Sequence, residues 1–490
     1  GGECHLQDMT VMTGHSTRNY KGDKRTFENQ YLGEFVGHEM NRCITCYRCE
    51  RFYNDYAGGT DFGVYGTANK VCFGRQQDGQ LESEFSGNLV EVCPTGVFTN
   101  KLFSAHYTRK WDLQSAPSVC SFCSVGCNTS VGERYGSVRR VMNRYNHDVN
   151  GYFLCDKGRF GIGFVNGLTR LHTTKGIPQK SPESLTRLDV SKALVHFKSK
   201  RFAGIGSGRS SFEANYLLKK LVGDKQFSLG LNHNEMIFAA SHQQFLAKYS
   251  PPSLSAIEQS DFVLIFDEDI TQTAPRIALS IRQALRNASI DKAEKMGVPS
   301  WQDSAVRTIG GKTLSPLYIL ASKASKLDDV AEQVLLQKTA DTSSLLKILT
   351  SLIQNETDLA SLDCENSALL NQLIKAKKPL VIGGWSSHSI ELFNEIFNFI
   401  EALTKTGKRV NALMVPAQAN TIGQLSLMDK NTLSVEQVLD AIPLSSSKCE
   451  FDGVIILENE LSQFNEQQLS CLQNSALTVI VLDHSESRLS

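Results

Sequence analysis

The placement of thirteen cysteines is the feature that most constrains this chain. Ten of them lie at or before residue 155, and the rest of the 490-residue chain carries only Cys364, Cys449 and Cys471. A disulfide-stabilised secreted protein would distribute its cysteines through small stapled domains. Cysteines clustered at short spacings indicate metal binding instead, so we expect the first third of the chain to be organised around metal centres.

The first close-spaced set is Cys43-x2-Cys46-x2-Cys49, with Cys93-Pro94 further along the chain. A [4Fe–4S] cube needs four thiolates, and three on one tight loop with a distant fourth supply them. A structural zinc site is the alternative, but zinc motifs usually use paired C-x2-C knuckles. In two-cluster ferredoxins the distant cysteine ligates the other cluster, and Cys93 could cross over in the same way. We assign it to the Cys43 group, because no second such triplet occurs in this part of the chain.

A second three-plus-one set follows, formed by Cys120-x2-Cys123-x3-Cys127 and Cys155. It predicts a second [4Fe–4S] cluster. Residues 101–170 carry ten Lys or Arg against four Asp or Glu. Because a cube bound by four thiolates is anionic, nearby positive charge would ease its reduction. For any single basic residue, a role as an ordinary solvated surface charge is the alternative.

Cys4 stands apart from both sets, at the start of the chain. Because the sequence opens on Gly1 without a methionine, we expect a fragment that lacks its upstream part. The end at Ser490, directly after a strand-like run, suggests a second cut. Cys4 is then a candidate for the last ligand of a third cluster whose other ligands precede Gly1. A lone cysteine is often only a small buried apolar residue, which is the role we expect for Cys72.

From about residue 171 onward, short β-type runs alternate with amphipathic helical stretches. Such alternation predicts parallel sheets covered by helices on both faces. The predicted strands include 202–205, 262–266, 317–321, 380–382, 410–415 and 454–457, and the predicted helices 212–222, 274–287 and 389–404. The expected fold is an α+β iron–sulfur region followed by an α/β region. Its predicted domains are 1–115, 116–171 and 172–490, the last incomplete at its C-terminus.

Several weaker signals predict no further site. The turn Gly204-x-Gly206-x-Gly208, with Asp224 about twenty residues on, resembles a phosphate-cradling turn but lacks the full dinucleotide-binding spacing. Three histidines are metal-ligand candidates by type only, and we expect ordinary roles for His5, His15 and His38. Lys plus Arg and Asp plus Glu number 51 each, which argues against a general nucleic-acid binder. No apolar run approaches the length of a membrane span.

The motifs form one recognisable series: Cys4-His5-Leu6-Gln7, the Cys43 set with Cys93-Pro94-Thr95-Gly96, the Cys120 set with Cys155-Asp156, and residues 82–89 and 132–136. This series resembles the large iron–sulfur (G) subunit family of bacterial NADH:quinone oxidoreductase, respiratory complex I. The resemblance is specific up to about Phe164. Beyond that residue it is looser and is similar to the molybdopterin oxidoreductase fold.

The resemblance implies a [2Fe–2S] domain upstream of this fragment and a third [4Fe–4S] site, of which Cys4 is a part. The Cys43 set would lie on the electron path, and the Cys120 set would hold a side cluster. Molybdopterin is not expected. The implied partners are the NADH/flavin-binding subunit and a ferredoxin-like iron–sulfur subunit of the peripheral arm, with membrane association only through the complex, at the cytoplasmic face of the bacterial inner membrane.

The predicted function is therefore single-electron transfer from the NADH/flavin module toward the quinone-reducing module, without an active site in this chain. The main alternative is a molybdopterin-dependent catalytic subunit similar to formate dehydrogenase. An iron-only hydrogenase shares the N-terminal cluster layout but would need further cysteine motifs after Cys155. A non-redox scaffold with two zinc sites is the remaining alternative.

Overall fold

The computed structural model describes residues 2–24, 26–171, 200–355, 364–442, 450–473 and 477–485. The chain forms two compact units, each built from two segments. The first unit comprises Gly1–Val165 and Pro251–Val415, and the second comprises Asn166–Ser250 and Pro416–Ser490. These bounds differ from the three predicted domains, because residues 251–415 belong to the same unit as the cysteine-rich region.

Short elements make up the cysteine-rich region of the first unit. Two antiparallel pairs join Val36–His38 to Phe98–Asn100 and Gly63–Tyr65 to Cys72–Gly74, and a three-stranded antiparallel sheet contains Gln114–Val119, Asn128–Arg134 and Ser137–Asn143. The α-helices are brief: His5–Met12, Arg48–Glu50, Asn88–Val92, Lys101–Ser104, Asp156–Phe160 and Gly163–Asn166. A π-helix spans Arg51–Tyr56, and single 3-10 turns occur at Met40–Arg42, Ala68–Lys70 and Lys110–Asp112.

A five-stranded parallel sheet forms the remainder of the first unit. Its strands lie in the order Gln333–Leu336, Leu317–Ala321, Phe262–Phe266, Pro379–Gly384 and Asn411–Val415. The central three are buried along their whole length, as expected for a sheet covered on both faces. The helices of this part are Leu254–Glu258, Ile270–Thr273, Pro275–Leu285, Asn287–Lys295, Asp303–Gly310, Thr339–Asn355, Cys364–Lys375 and Ile390–Lys405, with a 3-10 turn at Asp328–Val330.

Local signals explain the two helices that flank this sheet. Pro275 occupies the first turn of Pro275–Leu285, where its missing N–H costs nothing. Ser389 caps Ile390–Lys405 by accepting a hydrogen bond from Leu392 N. Val263 and Ile265 share a core cluster with the first of these helices, whereas Phe266 meets Phe399 of the second with ring centroids 6.0 Å apart. Successive residues of one strand therefore pack against different helices.

The same helix Pro275–Leu285 explains why residues 251–415 join the cysteine-rich region. Its Leu279 is 1% exposed and belongs to the core cluster that also contains Tyr53 and Leu89. Gln283 Nε2 donates to Tyr56 O at 2.8 Å. One face of the helix thus packs against the sheet, and another face packs against the cysteine-rich region.

The second unit contains a four-stranded parallel sheet in the order Thr478–Leu482, Gly453–Leu457, Phe202–Ile205 and Phe227–Ser228. Its strands come from two segments that lie more than 200 residues apart in sequence, with Gly453 paired to Phe202. The helices of this unit are Phe212–Val222, His233–Lys248, Thr421–Leu427, Val435–Asp440 and Glu466–Leu469, with 3-10 turns at Asp224–Gln226 and Ser470–Gln473.

The parallel sheets predicted from the sequence are confirmed in both units. The predicted helix 212–222 has the observed bounds, and the strands 262–266 and 317–321 do as well. The edge strand Gln333–Leu336 was not predicted, because its three consecutive apolar residues are too short a run to distinguish a strand from a helix. Among the described residues, no helix is long and apolar enough to cross a membrane.

Candidate iron–sulfur cluster sites

The loop of the first cysteine set turns sharply twice. Thr45 and Tyr47 have positive φ angles of 54° and 59°, so the backbone enters the left-handed region after Cys43 and again after Cys46. Thr45 N donates to Cys43 Sγ at 3.2 Å. These turns let three cysteines on seven residues face a common centre.

Cys93 reaches the same centre from the end of helix Asn88–Val92. Together with Cys43, Cys46 and Cys49 it lines one small cavity, which is closed by Phe73 and Phe98. Burial raises the pKa of the Cys49 thiol to about 12, the N–H of Glu50 lowers it, and the thiols of Cys93, Cys43 and Cys46 raise it further. The structure thus brings together the four cysteines that the sequence assigned to the first set.

The loop of the second set is closed by its own backbone. Cys120 N donates to Cys127 O at 2.8 Å, and Gly126 has a φ angle of 66°, a conformation that side chains rarely allow. Cys155 enters from elsewhere, as the N-cap residue of helix Asp156–Phe160. A Cβ atom on Gly158 would lie 3.1 Å from Cys120 Sγ, so glycine is needed where this helix approaches the loop.

The four thiols of the second set influence one another. Burial raises the pKa of Cys155 to about 12, the N–H of Gly158 lowers it, and the thiols of Cys120 and Cys123 raise it. Burial also raises the pKa of Cys127, followed by the effects of Cys123, Cys155 and Cys120. Thiols held close together in a partly buried site need a positive partner to become thiolates, and the irons of a cluster would supply that charge.

The spacing of these thiols also bears on the zinc alternative. The eight cysteines of the two sets are free thiols, without disulfides. Over the part of the chain that the structure describes, no three His, Cys, Asp or Glu side chains converge closely enough to hold a single metal ion. Zinc draws four ligands to one centre at about 2.3 Å, whereas the cysteines of a cube each bind a different iron and stay further apart. Each set supplies four cysteine thiols, the donor set that a [4Fe–4S] cluster requires.

Cys4 is buried beside the first set. It caps helix His5–Met12, with Gln7 N donating to Cys4 Sγ at 3.3 Å. A Cβ on Gly96, three residues after Cys93, would lie 3.1 Å from Cys4 Cβ. The candidate partial site therefore adjoins the backbone that follows the last ligand of the first set.

The remaining single candidates lie outside both sets. Cys72 is in the strand Cys72–Gly74, where it pairs with Tyr65. His38 is held between two backbone groups: its Nδ1 accepts from Gln30 N at 3.0 Å, and its Nε2 lies 2.9 Å from Phe73 O. His5 and His15 are exposed. Cys471 is buried in the second unit, Cys364 begins a helix, and Cys449 lies outside the described residues.

The glycine turn of the second unit is filled by the chain itself. A Cβ on Gly206 would lie 2.4 Å from Asn215 Oδ1, and one on Gly208 would lie 2.6 Å from Gln418 Oε1. Ser207 N donates to Asn215 Oδ1 at 3.1 Å, and Gly206 N donates to Ser228 O at 2.9 Å. A phosphate cradle needs these N–H groups for its ligand, so this turn is structural.

Partly buried polar contacts that the sequence analysis missed join the two cysteine sets. Asp156, next to Cys155, accepts hydrogen bonds from Ser86 Oγ and from Gly87 N. Arg159, 1% exposed, pairs with Glu91 two residues before Cys93. In the sequence, residues 82–89 are informative only through a family resemblance, because polar residues in a loop give no periodic signal.

Two family models match the parts of the chain that carry these sites. Residues 33–99 match the ferredoxin-like domain of NADH-quinone oxidoreductase subunit 3, and residues 113–167 match the molybdopterin oxidoreductase Fe4S4 domain. The NADH-quinone oxidoreductase G subunit of Pseudomonas putida is 45% identical over 99% of this chain, and that of Escherichia coli K12 is 41% identical over 100% of it. The chain belongs to the G-subunit family of NADH-quinone oxidoreductases. It spans about half the length of these relatives, because the matches cover 54% of each.

Solved structures add little to this assignment. A formyltransferase/hydrolase complex from Methylorubrum extorquens is 15% identical, with a TM-score of 0.38 over 60% of this chain and 77% of its own. Acetylene hydratase from Pelobacter acetylenicus is 12% identical, with a TM-score of 0.33 over 64% of this chain and 42% of its own. Such low values do not establish a shared fold.

Proposed function

We propose that this member of the G-subunit family carries single electrons within an NADH:quinone oxidoreductase. One [4Fe–4S] cluster is held by Cys43, Cys46, Cys49 and Cys93, and a second by Cys120, Cys123, Cys127 and Cys155. The observation that carries the proposal is the grouping of each set of four thiols around its own centre.

A bound [4Fe–4S] cluster supplies one-electron exchange, without making or breaking substrate bonds. The chain's residues do the rest. The cysteines hold the cluster as thiolates, and backbone N–H groups donate to their sulfurs, as Thr45 N does to Cys43 and Val97 N to Cys93. Phe73 and Phe98 line the first centre and would shield part of it from water. Burial, hydrogen bonds to sulfur and nearby charge are the means by which a protein sets a cluster's potential.

Cys4 is proposed as one ligand of a third [4Fe–4S] cluster, with a [2Fe–2S] cluster in a part of the protein outside this chain. Electrons would arrive from an NADH/flavin-binding subunit and leave toward a ferredoxin-like subunit. The first cluster would lie on that path, and the second would be a side cluster. The proposed location is the cytoplasmic face of the bacterial inner membrane, with attachment through the complex. Molybdopterin is not proposed.

Electron paramagnetic resonance (EPR) of the reduced protein, combined with metal analysis, tests this function. We expect signals of at least two [4Fe–4S] clusters, about eight irons from the two complete sites, and neither molybdenum nor tungsten. A colourless protein with stoichiometric zinc would establish structural zinc sites instead. Stoichiometric molybdenum or tungsten with a pterin would establish a catalytic molybdopterin subunit.

A further inference from the structure

The α/β part of the first unit places a buried cation beside the second cysteine set. Arg276 lies in the first turn of helix Pro275–Leu285, and its side chain is 6% exposed. Its guanidinium donates from Nε to Asn150 O at 3.0 Å, from Nη1 to Ser280 Oγ at 2.7 Å and from Nη2 to Glu258 Oε1 at 3.3 Å. Arginine stays charged in proteins and is seldom buried without partners, so this side chain carries a positive charge into the interior.

Asn150 connects this arginine to the ligand loop. It is fully buried, and its Oδ1 accepts from the N–H of Asn128, the residue directly after Cys127, at 2.9 Å. Its Nδ2 donates to Asn128 O at 3.2 Å. Arg276 therefore bonds the backbone of Asn150, and the side chain of Asn150 bonds the backbone of Asn128, next to Cys127.

The charge of Arg276 also reaches the ligand itself. The positive charge of Arg276 interacts with Cys127, and that of Lys157 interacts with Cys120 and Cys123. The side chain of Lys157 is exposed, however, where solvent and salt screen its charge. A desolvated charge acts more strongly at a given distance, because the interior has a lower effective dielectric constant.

We propose that Arg276 is a positioning residue that raises the reduction potential of the cluster held by the Cys120 set, and that Glu258 limits this effect as its counter-charge. The inference rests on the proposed function, since it requires that cluster. Reduction adds one electron and thus one negative charge to the cluster, so a fixed positive charge nearby favours the reduced form. Glu258, paired with the same guanidinium, has the opposite sign and the opposite effect.

The test is an EPR-monitored redox titration of the full-length protein in its assembled complex, with dithionite as the reductant. Arg276→Gln should shift the potential of the second cluster to lower values, and Glu258→Gln should shift it to higher values. Arg276→Lys keeps the charge and should lie between Arg276→Gln and the unsubstituted protein. Arg282→Gln is the matched control, because Arg282 lies on the same helix and pairs with Asp329, and it should leave the potential unchanged.

Opposite shifts are the decisive result, because a purely structural role for the Arg276–Glu258 pair would not give the two substitutions opposite signs. Should Arg276→Gln lose the cluster, the upward shift of Glu258→Gln and the intermediate value of Arg276→Lys still decide the question. The proposal would be overturned if Glu258→Gln and the Arg276 variants left the potential unchanged, or if all of them shifted it in the same direction. Absence of the second cluster from the unsubstituted protein would instead contradict the proposed function.

Discussion

Asn88 bonds both backbone groups of Leu154. Asn88 Nδ2 donates to Leu154 O at 2.8 Å, and Leu154 N donates to Asn88 Oδ1 at 3.2 Å. Asn88 begins the helix that leads to Cys93, and Leu154 directly precedes Cys155. One buried side chain therefore links the last ligand of the first set to the last ligand of the second.

This link predicts that Asn88→Ala destabilises the first unit. The substitution leaves two buried backbone groups of Leu154 without their partner, which should lower the free energy of unfolding by roughly 2–4 kcal/mol. Denaturant titration followed by circular dichroism measures the change. Asn41→Ala is the matched control, because Asn41 makes the same paired bonds to the backbone of Phe27 but is exposed, so its cost should stay within about 0.5 kcal/mol. Equal costs for both variants would contradict the prediction.

Replacing Cys46 with serine should remove the first cluster and block electron flow through the complex. Hydroxyl oxygen is a poor replacement for the soft thiolate that iron–sulfur clusters require. NADH-driven quinone reduction and EPR measure the two effects. Cys72→Ser is the control, because Cys72 belongs to neither set, and both clusters should remain. Normal quinone reduction by Cys46→Ser would contradict the place of the first cluster on the path.

Replacing Cys123 with serine should remove the EPR signal of the second cluster with a smaller effect on electron flow. The physical reason is that a side cluster stores charge without carrying the main current. The measurement is the same pair of assays, made on complex whose full assembly has been verified. A complete loss of quinone reduction in such complex would place the second cluster on the main path.

The stability of the second unit should depend on the protonation of His242. Its ring is fully buried, and burial lowers its pKa from 6.5 to about 4. Between about pH 4 and 6.5, the unfolded chain therefore binds a proton at His242 that the folded unit does not bind. The associated stability is present above about pH 6.5 and is lost as the pH falls toward 4, by a total on the order of 3 kcal/mol.

His242→Leu should flatten this dependence, because leucine does not titrate. Thermal denaturation of the second unit between pH 4 and 7 measures the slope. His233→Leu replaces an exposed histidine at the start of the same helix, and it should keep the slope of the unsubstituted protein. A slope that survives in His242→Leu would assign the pH dependence to other groups.

Local patterns made the cysteine sets and many elements predictable. Helix Phe212–Val222 has its bounds because Ser211 caps its first turn and a glycine with a φ angle of 94° ends it, and both signals stand next to the helix in sequence. The edge strand Gln333–Leu336 was missed, because a short apolar run such as its three consecutive residues does not by itself distinguish a strand from a helix.

The sequence by itself determined which cysteines are candidate ligands, because the spacing of thiols on a short loop is a property of the chain. Only the tertiary structure decided that residues 251–415 belong with the cysteine-rich region and that Arg276 reaches Asn150 across 126 residues. Contacts between distant segments arise when they pack into a common core, as Leu279 and Tyr53 do. Local periodicity shows that a side chain will be buried, but it does not show which distant residue that side chain will contact.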